Sequence, residues 1–149
     1  MGTTLSVLWF RDGYGFIAHV GDSRIYRYRG GVLSQMTMDH SLVAELLAAG
    51  KITAEEARVH PQRNLVTRAV GTSSTVNPDV TTFDRKDHDL WLLCSDGLTN
   101  HVSDEQLKNV LTSGDTLEDM AHRLVDMALH RGGSDNVTVV LVDCEEATL

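Results

Sequence analysis

Three aspartates carry the chemistry that this sequence most readily offers. Asp22 follows the apolar run Phe16-Ile17-Ala18-His19-Val20, and Asp96 follows Leu90-Trp91-Leu92-Leu93-Cys94. Asp135 precedes Val137-Thr138-Val139-Val140-Leu141-Val142. Each stands at the end of a segment that reads as a buried strand, beside small residues: Gly21 and Ser23, Ser95 and Gly97, Ser134 and Asn136. Strands of a sheet bring their ends together, and carboxylates gathered there repel unless a cation lies between them. Oxygen-only ligands suit hard divalent ions such as Mg2+ or Mn2+, which keep several waters and can turn one into a nucleophile near neutral pH. That chemistry serves phosphate-ester hydrolysis. Taken singly, an Asp beside Gly or Ser is more often a turn residue that caps its own backbone. Asp12-Gly13 is read as such a hairpin turn.

Other reactive residues form weaker patterns. The seven histidines show no zinc or metalloprotease spacing. His122 and His130 belong to a long helix as solvent-facing or partly buried residues, and His40 is read as a structural residue at the junction into the helical middle of the chain. Ser23 and Ser95 lack the Gly-x-Ser-x-Gly elbow of serine hydrolases, and no phosphate-cradling Gly-rich loop is present. Arg24 is expected to form an ion pair at the end of the sheet, and Arg68 to act as a structural anchor. Cys94 and Cys144 form no C-x-x-C pair, which fits a reducing compartment and a cytoplasmic protein. The net charge of -8 argues against a general nucleic-acid binder and against an anionic membrane surface as the main partner. No apolar run is long enough to span a bilayer.

The elements that must position the aspartates follow from periodicity. With 149 residues, 42% hydrophobic and 23% charged, a single globular domain is expected. Residues 5–10, 14–20, 24–29 and 32–36 read as a β-meander punctuated by Arg11-Asp12-Gly13, Gly21-Asp22-Ser23 and Gly30-Gly31. Residues 41–49 have helical spacing with Gly50 as the stop, and Thr53-Ala54-Glu55-Glu56 opens a short second helix that Pro61 ends. Residues 60–78 are mostly loop, with one short element around 65–70. Strands are predicted at 80–83, 90–94 and 137–142. Helices are predicted from Ser103 to about Leu111 and from Thr116 to the stop at Gly132-Gly133. Strands, then helices, then strands indicate an α+β layered domain rather than βαβ units.

Four runs occur in order: Ala18-His19-Val20-Gly21-Asp22-Ser23-Arg24, Asp39-His40-Ser41-Leu42, Leu92-Leu93-Cys94-Ser95-Asp96-Gly97-Leu98 and Asp135-Asn136. Together they resemble the metal-dependent Ser/Thr protein phosphatases of type 2C, in the bacterial single-domain form. The resemblance implies an antiparallel β-sandwich flanked by helices. It implies Asp96 and Asp135 as ligands of a binuclear Mg2+ or Mn2+ centre, with Asp22 joining Asp96 at a third site. The segment at about 43–63 would be a flap beside the active site. The implied reaction is attack of a metal-activated water on phosphoserine or phosphothreonine, so no side chain is expected as nucleophile. Phosphorylated proteins, including Ser/Thr kinases and their substrates, are the implied partners. The family's Asp-Gly-x-Gly-Gly-His motif, which supplies the metal-bridging Asp, does not occur here. The chain therefore resembles the C-terminal two-thirds of the domain, and uncovered apolar faces and strand edges are expected. A catalytically impaired pseudophosphatase that binds partners, and a structural metal-binding module, are the alternatives.

Overall fold

The computed structural model describes residues 1–133 and 136–145. Strands β1 (Leu5–Arg11) and β2 (Tyr14–Val20) form a hairpin across Asp12-Gly13. Both turn residues have positive φ, as the tight hairpin connection demands. After Gly21-Asp22-Ser23 the chain passes into a second sheet, where β3 (Arg24–Arg29) turns into β4 (Val32–Gln35). Two short helices follow, α1 (Leu42–Ala48) and α2 (Ala54–Val59), the latter opened by the predicted capping box of Thr53 and Glu56. Strand β5 (Asp79–Asp84) then returns to β2, and β6 (Leu90–Cys94) pairs with β3. A four-residue helix α3 (Asp96–Thr99) leads to α4 (Asp104–Leu111), α5 (Leu117–His130) and the last strand, β7 (Val139–Asp143).

The sheets have the orders β1-β2-β5 and β4-β3-β6-β7, and every pairing is antiparallel. They face one another across Ile17, Ile25, Phe83 and Trp91, where the Phe83 and Trp91 rings lie 4.5 Å apart. The other face of the second sheet is roofed by α4 and α5, whose Leu107, Val110, Met120 and Leu124 pack on Leu90, Leu92 and Cys94. Strand β6 is thus covered on both faces, which explains its unbroken apolar run. The predicted α+β sandwich is present, but the single meander is not: β2 pairs with β5 and β3 with β6, so the first four strands divide between two sheets. The element expected around 65–70 is reduced to isolated bridges at Val66 and Val70. The last strand starts at Val139 rather than Val137, because Thr138 is engaged by Ser95 instead of a neighbouring strand. Helix α3 was not predicted; four residues are too few to show a period. Among the described residues no helix is long and apolar enough to cross a membrane.

The outer face of the first sheet carries the uncovered apolar surface expected above. Val7 and Trp9 pair with Ala18 and Phe16, so these four share that face with Leu5, and Val80 adjoins Ala18. Trp9 is 53% and Val80 66% exposed. A patch of this kind on a sheet with an open edge invites association with another molecule. Trp9→Lys is expected to lower self-association in sedimentation velocity while changing stability by no more than about 1 kcal/mol. Equal association of variant and parent would show that the patch is inert.

Candidate metal centre

Asp22 sits where the chain crosses from one sheet to the other. The crossing needs a glycine at 21: its φ is +112°, and a Cβ there would collide with the Thr4 side chain. Flanking contacts then fix the turn. Ser23 Oγ lies 2.9 Å from Thr4 Oγ1. Arg24 grips Asp39 bidentately, Nε to Oδ1 at 2.9 Å and Nη2 to Oδ2 at 2.7 Å, as the ion pair expected at the sheet end. Arg24 Nη1 also donates to the Tyr26 hydroxyl, which donates in turn to Asp104.

Asp96 begins α3 directly after β6. Ser95 zips the preceding bend onto the lead-in to β7: its N–H donates to the Thr138 carbonyl at 3.1 Å, and its Oγ accepts from the Thr138 amide at 3.0 Å. Gly97 is packed so closely that a Cβ would collide with the Asn136 carbonyl oxygen. Asp96 is thereby held beside the segment that carries position 135. Asp135 itself lies outside the described residues.

The two described aspartates sense one another. Burial first, and then the charge of Asp96, push the Asp22 carboxyl up from 3.8 to about 6. Both open onto one cleft of about 780 Å³, whose far wall includes Arg58, Arg63 and Asn64 from the segment after α1. The donor set of this pair is oxygen only, and Asp39 at the rim is already engaged by Arg24. Two repelling carboxylates at one open cleft fit a hard divalent cation better than they fit each other. Among the described residues no group of three candidate ligands gathers.

The histidines divide. His122 and His130 are exposed on α5, as expected. His40 is buried at the stem of α1, with Nε2 2.8 Å from Asp79 Oδ2, and Arg68 donates to the other Asp79 oxygen at 2.7 Å. Arg68 is thus the expected anchor. Asp79 was missed, because it lies 39 residues from His40 and no local pattern links them. His19, also buried, packs against His40 with tilted rings 4.9 Å apart; burial first, and then the neighbouring ring, lower its pKa.

Residues 1–137 match the Protein phosphatase 2C family. The chain belongs to that family. Protein phosphatase PhpP of Streptococcus pneumoniae is 47% identical over 146 residues, which are 98% of this chain and 59% of PhpP. The serine/threonine protein phosphatase PstP of Mycobacterium tuberculosis is 46% identical over 143 residues, 96% of this chain and 27% of PstP. The crystal structure of PstP/Ppp from that organism superposes with a TM-score of 0.93 at 45% identity, covering 98% of this chain and 61% of the solved one. The PstP catalytic domain solved in complex with 2 manganese ions gives 0.89 at 42%, with 98% and 60% covered. The chain thus spans 59% of the length of PhpP, and the 2C sandwich that its sequence implied is the sandwich observed.

Proposed function

We propose that this chain is part of a Mg2+/Mn2+-dependent phosphatase acting on phosphoserine and phosphothreonine in proteins, with Asp22, Asp96 and Asp135 as metal ligands. One observation carries the reading: Asp22 and Asp96, from the ends of two different strands, face one cleft closely enough for the charge of one to shift the other. When bound, the cations supply an acidified water and offset the charge of the phosphoryl oxygens. The chain's residues do the rest. Ser95 and Gly97 hold Asp96 against the lead-in to β7, and Thr4 and Asp39 hold the residues flanking Asp22. The segment at about 43–63 acts as a flap whose Arg58 and Arg63 face an anionic substrate. Signalling phosphoproteins, including kinases, are the proposed partners, and buried free Cys94 and Cys144 suit the cytoplasm.

A Mn2+ titration with two variants tests this. The folded chain binds the Asp22 proton more tightly than the unfolded chain does, since its pKa rises from 3.8 to about 6. The metal-free protein therefore loses stability as pH rises through that window. At pH 7.5, Asp22→Asn is expected to stabilise the metal-free protein by about 1–2 kcal/mol, the full shift being discounted for water in the cleft. Millimolar Mn2+ should raise the Tm of the parent, raise that of Asp22→Asn by less, and leave that of Asp96→Asn unchanged. Mn2+-dependent phosphate release from a phosphothreonine peptide should vanish in Asp96→Asn. No Mn2+ binding at millimolar concentration would leave these aspartates as turn residues. Metal and phosphopeptide binding without release would favour the pseudophosphatase reading.

A further inference from the structure

We propose that His40 is a positioning residue for Asp22, and that Asp79 fixes the His40 ring and ties the Asp22 turn to both limbs of the 42–65 segment. The inference rests on Asp22 being a metal ligand. Its geometry begins at Gly21, the residue before Asp22. The Gly21 amide donates to His40 Nδ1 at 3.0 Å, and the Gly21 carbonyl accepts from the His40 amide at 2.8 Å. Both polar groups of this glycine are therefore held by one residue.

The chemistry of the first bond determines the tautomer. A backbone N–H can only donate, so Nδ1 must offer its lone pair and the ring proton sits on Nε2. From there it points at Asp79 Oδ2, 2.8 Å away. Asp79 thus keeps the ring in the one form that can hold Gly21, in the way that an outer-shell carboxylate orients a histidine. The same carboxylate takes Arg68 on its second oxygen. His40 leads into the N-cap of α1, and Arg68 follows the limb that returns from α2. The limbs meet through Leu42 N–H to the Leu65 carbonyl at 3.0 Å and Thr67 N–H to the His40 carbonyl at 2.9 Å. Asp39, next in sequence, grips Arg24 on the other side of Asp22. The dipeptide Asp39-His40 therefore clamps the Asp22 turn from both flanks, at the root of the segment that walls the cleft.

Two substitutions separate the two ends of the imidazole. An asparagine side chain in its place can put an oxygen near the position of Nδ1 and keep the Gly21 bond; a glutamine side chain can reach Asp79 but leaves the Gly21 amide without its acceptor. His40→Gln is expected to speed Gly21 amide hydrogen exchange at least about 10-fold and to weaken Mn2+ binding, measured by calorimetry, by about 10-fold or more. His40→Asn should stay within about 3-fold of the parent on both. Asp79→Ala alters a half-exposed residue, so its fold is secure even if His40→Gln unfolds; by freeing the tautomer it should reproduce the loss of Gly21 protection while Leu92 exchange stays unchanged. Equal exchange at Gly21 in the parent and in Asp79→Ala, or equal losses in His40→Asn and His40→Gln, would overturn the proposal. A parent chain that binds no Mn2+ would instead overturn the ligand role of Asp22, and the Gly21 exchange rates would still decide whether His40 holds the turn.

Discussion

Replacing Arg29 by Met is expected to lower stability at pH 7 by about 3–5 kcal/mol, the cost of stranding a buried charge. The stranded group is Asp89, whose side chain is 1% exposed. Arg29 meets it with a bidentate fork, Nε to Oδ1 and Nη2 to Oδ2, both at 2.6 Å. Burial alone would raise the Asp89 carboxyl; the Arg29 bonds and the Lys86 amide outweigh it and hold the pKa below 3.8. The position explains why so costly a pair is kept. Asp89 immediately precedes β6, its carbonyl accepts from the Cys144 amide after β7, and Arg29 ends β3. Three strands of the second sheet are pinned at one corner. The pair's contribution is present above 3.8, the unfolded value, and is lost as pH falls through the lower folded value. In Arg29→Met the burial of Asp89 is opposed by the Lys86 amide and the more distant charge of Arg27 but by no bonded cation, so the carboxyl takes up a proton at a higher pH. The gap between parent and variant should therefore narrow between pH 7 and about pH 4.5 in urea melts. Asp84→Asn, which removes a 59% exposed partner of the same arginine, should cost far less than Arg29→Met. A loss below about 1 kcal/mol in Arg29→Met, or one constant with pH, would mean that the corner is held by the strands alone.

Much of this architecture was legible because its signals are local. Alternating polarity at Arg24-Ile25-Tyr26-Arg27-Tyr28-Arg29, the capping boxes at Thr53 and Ser103, and the helical spacing of Leu117, Met120 and Leu124 each lie within a few residues. Asp22 and Asp96 were also legible, since each follows a strand whose apolar run is visible. What holds them was not. Asp79 reaches His40, Arg29 reaches Asp89 60 residues away, and Gly97 meets Asn136, all across the fold. No window of sequence contains both partners of such a pair. Asp84-Arg85-Lys86-Asp87-His88-Asp89 illustrates the difficulty: six polar residues in a row hide one fully buried carboxylate whose partner is on another strand.

Gly97→Ala tests the placement of Asp96 without touching a charge. By helix propensity alone, Ala inside α3 would be stabilising by up to about 1 kcal/mol over Gly. The structure predicts the opposite sign, because the new Cβ would collide with the Asn136 carbonyl oxygen, a backbone atom that cannot rotate aside. Relief requires α3 to lift from the 136–138 segment, which strains or breaks the two Ser95–Thr138 hydrogen bonds. A loss of about 2–3 kcal/mol is expected, the range of overpacking at a rigid contact. Mn2+ affinity should fall by about 10-fold or more as well, since Asp96 moves away from the segment bearing Asp135 while both carboxylates remain in the chain. Calorimetry on the folded variant separates the two effects. A variant as stable as the parent would show that the close approach is absent. A destabilised variant with parental Mn2+ affinity would show that Asp96 binds without help from the neighbouring segment, and the centre would then reduce to Asp22 and Asp96 across the cleft.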